Sequence, residues 1–203
     1  MKKHILLASC FILLIVAQAN ATLTSLGNGM VYDDVRNLTW YETYPLASTH
    51  YYDGSATGSV SAAAWVDGLN VGGYTDWRLP SAFNNDGTGP SSGFTTGSEL
   101  GYLFYVELGN GTNPATTNTG PFQYLARYTY WTGTPVSGWP YYAWAYDFYS
   151  NSLYQAGYTT SLAFPVMAVR DGGPGPSSTP EPATMLLLGF GILGLAGVRR
   201  FRK

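Results

Sequence analysis

The stretch Gly72-Gly73-Tyr74-Thr75-Asp76-Trp77-Arg78-Leu79-Pro80 decides the reading of the fold. Two glycines allow positive φ or a close backbone approach. A carboxylate and a guanidinium then flank Trp77, and a stiffening proline ends the run. Asp76 and Arg78 read as a polar contact set into an apolar wall. They satisfy backbone groups or each other, while Trp77 packs in the core. Removing one partner of a buried pair costs about 3–5 kcal/mol, so such residues commonly serve the fold. Asp76, Trp77, Arg78 and Arg170 are therefore expected to form a structural hub.

Upstream, residues 59–70 predict a helix. Ser59 or Ser61 caps it, the Ala62-Ala63-Ala64 run favours it, and Gly72-Gly73 stops it. Before that, Met30-Val31-Tyr32 and Leu38-Thr39-Trp40-Tyr41 predict a hairpin around Asp33-Asp34-Val35-Arg36-Asn37. Downstream, Thr96-Gly97-Ser98-Glu99 fits a capping box. It precedes a stripe of Leu100, Leu103, Phe104 and Leu108 at helical spacing. Strands follow over residues 128–132, 142–148, 153–155 and 162–170. Helices in the middle and strands at both ends are the order of an α+β domain whose first and last strands pair.

Both termini read as targeting segments. Met1-Lys2-Lys3 and the apolar run of residues 5–17 form a signal peptide over residues 1–21, with cleavage preferred after Ala21 and next after Ala19. The run, about 13 residues, is short for a span that needs roughly 20. Cys10 falls inside it, so the mature chain has no cysteine, no disulfide and no thiol nucleophile. The exported domain spans residues 22–171, and residues 172–179 form a Gly-, Pro- and Ser-rich linker. The domain carries eleven carboxylates, four arginines and no lysine. That balance argues against a nucleic-acid partner. After the linker come Pro180-Glu181-Pro182, an apolar run over residues 183–198, and a basic end that includes Arg199 and Arg200. At 1.5 Å per residue the run reaches about 24 Å, close to a hydrocarbon core, and the basic end should stay cytoplasmic.

Those three parts in order resemble the PEP-CTERM sorting signal. The resemblance implies a bacterial envelope protein, a transmembrane sorting helix held in the inner membrane before processing, and an exosortase as partner. The destination is then the cell surface or the extracellular matrix, in a setting of exopolysaccharide and biofilm. The domain resembles the Lcl C-terminal-like family. The matching pieces are Asn37-Leu38-Thr39-Trp40, Ala62-Ala63-Ala64-Trp65, Gly72 through Ser81, Ser98-Glu99-Leu100 with Leu103, Tyr130-Trp131-Thr132, Asp147-Phe148, and Val166-Met167-Ala168-Val169-Arg170. That resemblance implies a single C-type-lectin-like α+β domain with two helices and antiparallel strands. Some relatives bind sulfated polysaccharide, although this domain is acidic.

Candidate binding residues lie in the last third, where Tyr128, Tyr130, Trp131, Trp139, Tyr141, Tyr142, Trp144, Tyr146, Phe148, Tyr149, Tyr154 and Tyr158 crowd together. Tyr and Trp present apolar bodies with polar tips, useful against sugar rings. Gly138 and Pro140 place Trp139, Tyr141, Tyr142 and Trp144 at a loop, so these four are the expected ligand-binding residues. Asn84, Asn85, Asp86 and Thr88 offer oxygens to calcium, but no EF-hand pattern accompanies them. No cofactor and no metal is expected. His50 is the mature chain's single histidine and sits in a predicted loop, and the Asp33-Asp34 pair reads as solvated. The chain thus reads as a non-enzymatic, surface-directed protein that binds polysaccharide or an envelope component. A carboxylate-dependent carbohydrate-active enzyme and a purely structural matrix protein are the alternatives.

Overall fold

The computed structural model describes residues 23–43, 49–53, 60–111, 118–148 and 154–174. The described residues open with β1 (Leu23–Gly27), β2 (Met30–Asp33) and β3 (Leu38–Tyr41). β2 and β3 form the expected hairpin, with Met30 opposite Tyr41 and Asp33 opposite Leu38. Its turn is closed by a side chain: Asp33 Oδ1 accepts from the N–H groups of Val35 at 3.1 Å and Arg36 at 3.0 Å. The last strand, β9 (Ala168–Asp171), then pairs antiparallel with β3, Leu38 facing Asp171 and Tyr41 facing Ala168. The sheet order is β1-β2-β3-β9, so the first and last described strands share one sheet.

A second sheet holds β5 (Thr129–Pro135), β6 (Tyr142–Asp147) and β7 (Tyr154–Thr159), all antiparallel. A third pairs β4 (Thr49–Tyr51) with β8 (Ala163–Pro165). The stretch 162–170 is therefore two strands rather than the one expected. Pro165 has no N–H to carry pairing further, and the chain leaves β4 for β3 at Val166 and Met167. Val166, Met167, Ala168 and Val169 are all buried, so both faces of the chain are covered there.

Among the described residues two helices complete the α+β architecture. α1 spans Ala62–Asp67, capped by Ser61, whose hydroxyl accepts from Ala64 N–H at 3.1 Å. It ends at Gly68, earlier than the Gly72-Gly73 stop the sequence predicts. Glycine is a poor helix interior residue, and Leu69 N–H already turns back to Val66 O at 3.0 Å. Gly72 and Gly73, at φ of 63° and 83°, instead form a two-residue turn. Val71 and Tyr74 bond each other across it in both directions, at 3.2 and 3.0 Å. Positive φ at both central residues is the type I′ pattern.

α2 spans Glu99–Tyr102 and continues as a π-helical turn over Leu103–Glu107. The predicted capping box is not formed. Ser98 is the cap, its hydroxyl accepting from Gly101 N–H at 3.4 Å, while the Glu99 carboxylate turns away to Arg78. A guanidinium is a stronger partner than a backbone amide.

Apolar residues gather in two clusters that alternate along the strands. Val31, Tyr130, Tyr146 and Val169 join Leu100, Leu103, Phe104 and Leu108 of the α2 segment. Met30, Trp131, Ala145 and Ala168 join Ala62 and Val66 of α1. The predicted stripe of four on the second helix is thus wholly buried, each side chain contributing roughly 1.5–3 kcal/mol. The Thr95 backbone and the Tyr146 side chain leave no room at Gly101, where a Cβ would stand 2.2 Å from Thr95 O and 2.9 Å from the Tyr146 ring. Gly101→Ala should therefore destabilise the domain by at least about 2 kcal/mol, the scale of overpacking, read as a lowered urea midpoint. A midpoint unchanged within error would show that α2 does not seat against the Thr95 loop.

Candidate functional site

The hub stretch is a double ion-pair joint. Arg78 Nη1 and Nη2 bond the Glu99 carboxylate oxygens at 2.9 and 2.8 Å, and Nη2 also reaches Asp171 Oδ1 at 2.7 Å. Glu99 Oε2 accepts a further bond from Ser81 N–H at 2.7 Å. Glu99 drives the Arg78 pKa upward, keeping the guanidinium charged. Arg78's own backbone bonds Val169 in both directions at 2.8 Å. Asp76 does not meet Arg78. It is held by Arg170, Nε to Oδ1 at 2.7 Å and Nη2 to Oδ2 at 3.0 Å, which lowers the Asp76 pKa. Arg170 lies over the Tyr74 ring at 4.0 Å and donates to Gly172 O and Gly173 O. Trp77 is buried and donates Nε1–H to Tyr74 O at 3.0 Å. The sequence singles out all four residues, but the partners Glu99 and Asp171 are invisible to local spacing.

The aromatic third divides sharply. Tyr130, Trp131, Tyr146 and Phe148 are core residues, and Tyr149 lies outside the described residues. Trp139 and Tyr141 are 63% and 75% exposed, on the turn between β5 and β6. That turn is pinned: Val136 N–H donates to Tyr142 O at 2.9 Å, Trp139 N–H to Val136 O at 3.1 Å, and Tyr142 N–H to Trp139 O at 3.0 Å. Thr160 N–H reaches Tyr141 O at 2.9 Å. Tyr142 and Trp144 are on β6 rather than in the loop and are half-buried. The strand alternates them with buried Ala143 and Ala145. Tyr142 still meets Trp139 edge-on at 5.7 Å. Among the described aromatics of this third, Trp139 and Tyr141 are the most exposed, with Tyr142 bracing Trp139.

Other candidates change character. His50 lies on β4, not in a loop, opposite Phe164. Its Nδ1 is 3.1 Å from Val60 O, so Nδ1 carries the proton, while Nε2 is buried with no partner among the described residues. Burial lowers its pKa. Asp33 is 1% exposed rather than solvated, and burial raises its pKa. Burial, then the Asp33 and Asp34 charges, raise that of Glu107. Asn84, Asp86 and Thr88 are engaged with one another and with Thr95, and Asn85 Oδ1 faces Arg36. Asn84 Nδ2 donates to Thr88 Oγ1 at 2.9 Å, Thr95 Oγ1 donates to Asn84 Oδ1 at 3.2 Å, and Asp86 Oδ1 accepts from Thr88 N–H at 2.9 Å and Thr88 Oγ1 at 2.6 Å. Among the described residues no group of three or more His, Cys, Asp or Glu is placed to hold a metal ion. The same loop borders a cleft of about 740 Å³, which sequence patterning did not foreshadow because its walls come from three separate segments.

The PEP-CTERM protein-sorting motif matches residues 178–203, which covers Pro180, Glu181, Pro182, Arg199 and Arg200. No curated protein and no solved structure matches the chain. The motif marks the chain as exported, sorted by an exosortase and directed to the cell surface. The motif, the expected signal peptide over residues 1–21 and the apolar run 183–198 lie outside the described residues. Among the described residues no helix is long and apolar enough to cross a membrane.

The two carboxylates on Arg78 should differ in weight. Glu99 has a side chain 10% exposed, against 80% for Asp171. Glu99→Gln should cost about 3 kcal/mol in urea unfolding, and Asp171→Asn under about 1 kcal/mol. Equal effects would refute the joint. His50 gives a pH dependence. Its lowered folded pKa means that it stabilises the native state above about pH 6.5 and loses that contribution as pH falls. Native stability relative to His50→Gln should therefore decline between pH 7 and 5. A constant difference would show His50 to be protonated equally in both states.

Proposed function

We propose that the chain is an exported envelope or extracellular-matrix protein whose domain binds polysaccharide or another surface component without catalysing a reaction. One observation carries this: Trp139 and Tyr141 stand out from a turn whose backbone is hydrogen-bonded to β6 and to Thr160. Large rings held in place lose little entropy on binding, and their faces suit the CH side of a sugar ring. The carboxyl-terminal motif supplies a location consistent with that role. In this reading the apolar run 183–198 anchors the chain in the inner membrane until the exosortase acts, and exopolysaccharide or biofilm matrix is what the domain then meets.

A C-type-lectin-like, Lcl C-terminal-like domain is compatible with the topology. An opening hairpin pairs with the last strand, and the two helices contribute to separate core clusters. A carbohydrate-active enzyme is the second reading. Asp33 and Glu107 stand beside the cleft-lining residues Val35, Arg36 and Val106, and burial raises the pKa of both, the direction that general acid catalysis needs. A matrix protein without a specific ligand is the third.

The test uses the full chain in a zwitterionic, sugar-free detergent, retained on immobilised exopolysaccharide from the producing cells. Replacing Trp139 and Tyr141 together by alanine should weaken retention at least tenfold while leaving Tm unchanged, because both rings are exposed. Unaltered retention would remove the aromatic turn from the function. Turnover of labelled polysaccharide that vanishes in Glu107→Gln would favour the enzyme, and a folded chain retained on no polymer would favour the matrix role. Separately, alanines at Pro180, Glu181 and Pro182 should leave unprocessed chain in the inner-membrane fraction. Normal processing of that variant would count against exosortase recognition through this triplet.

A further inference from the structure

We propose that the cleft between the β2–β3 turn and the loop of residues 84–97 is a second carbohydrate subsite, one that takes a neutral pyranose ring. The inference rests on the polysaccharide-binding reading and deepens it. At about 740 Å³ the cleft falls in the roughly 300–1,000 Å³ range of small-molecule sites. Its walls divide by chemistry. Val35, Phe94 and Val106 are 51%, 56% and 48% exposed and give it an apolar side. The Phe94 ring is held edge-on by Tyr105 at 4.7 Å, so the platform is set before a ligand arrives. Arg36, Asn85 and Asp86 supply the polar side. A pyranose presents CH groups on its faces and hydroxyls around its rim, each hydroxyl both donor and acceptor. An aromatic face opposed by amide, carboxylate and guanidinium groups matches that pattern.

Hydrogen-bonding capacity is left over at this place. Arg36 lies over the Tyr102 ring at 4.6 Å, and its Nη2 reaches Asn85 Oδ1 over a long 3.4 Å. Arg36 Nη1, Asp33 Oδ2 and Glu107 Oε1 are buried with no partner among the described residues. The charges of Asp33 and Arg36 both act on Glu107, so the three belong to one neighbourhood. Of these residues Arg36 lines the cleft, and Asp33 and Glu107 stand behind that wall, so the polar side of the cleft is backed by bonding capacity the described residues leave unmet.

Charge then selects among sugars. Arg36 is one guanidinium beside Asp33, Asp34, Asp86 and Glu107. Thr88 holds the Asp86 carboxyl below its usual pKa, so it stays anionic. A uronate or sulfated ring would meet net repulsion in this field, whereas a neutral ring would not.

Saturation-transfer NMR on the full chain, in zwitterionic sugar-free detergent, tests this with maltohexaose and cellohexaose as neutral probes and hexagalacturonate as the acidic one. At least one neutral probe should show transfer, and hexagalacturonate none. Phe94→Ala and Asn85→Ala, both at exposed positions, should each raise Kd at least tenfold with Tm preserved. The Trp139→Ala, Tyr141→Ala double variant should keep the signal. Absence of transfer from both neutral probes, binding of hexagalacturonate, or Kd unmoved in both cleft variants would overturn the proposal. A signal lost only in the Trp139 and Tyr141 variant would sink the cleft and leave the proposed function standing. Loss of polymer retention together with all transfer would sink both.

Discussion

The bidentate contact between Arg78 and Glu99 is the constraint on which the rest of this structure depends. A guanidinium and a carboxylate placed near an apolar core must satisfy each other, since neither can be left desolvated alone. Satisfying them brings the stretch after the Gly72-Gly73 turn against the first residue of α2. Neighbouring groups then follow. Glu99 also takes Ser81 N–H, Arg78's backbone pairs with Val169 on β9, and Pro80 O accepts from Gly133 N–H on β5. Gln155 on β7, fully buried, donates to Ala82 O at 2.9 Å. One irregular segment thereby ties a helix and strands of two sheets, doing with side chains and isolated bridges what a longer strand would do with a ladder.

A second pair works alongside the first. Asp76 and Arg170 join the same stretch to the last strand, with Tyr74 covering the guanidinium. Because β9 also pairs with β3, the closing strand is held from both sides. This arrangement frees the β5–β6 turn from structural duty. Trp139 and Tyr141 add little to the core clusters, and their backbone is fixed by the strands behind them. Exposed rings on a rigid base are what a binding surface requires and what a folding core does not.

Burial shifts the pKa of His50, Asp33 and Glu107, and none of the three is placed as a catalytic pattern in the sequence would suggest. His50 is the natural candidate by type, yet a strand and Trp65, 5.5 Å away, confine it, and its acceptor nitrogen is buried. Asp33 is engaged by the hairpin turn that it closes. Glu107 sits on a π-helical turn, where an extra residue in the helix re-aims side chains. That distortion places it near Asp33 and Arg36, which lie far from it in the chain. The cleft beside them joins a hairpin turn, a long loop and one helical face, so no sequence window contains it.

By itself the sequence determined the address, the α+β class, the first hairpin and the buried stripe of the second helix. Each of these is written in local chemistry: an ordered sorting motif, period-two and helical spacing, and turn residues that close their own hydrogen bonds. It also marked Asp76, Trp77, Arg78 and Arg170 as a hub, because charged residues beside a Trp need partners. Tertiary structure alone decided who those partners are. Glu99 left a capping box for Arg78, since a guanidinium outbids a backbone amide. Residues 162–170 became two strands because Pro165 cannot pair on and the sheets diverge there. Of four candidate aromatics, strand pairing half-buried Tyr142 and Trp144 and left Trp139 and Tyr141 in solvent. Exposure is a property of what packs against a residue, and that is settled by contacts between segments distant in the chain.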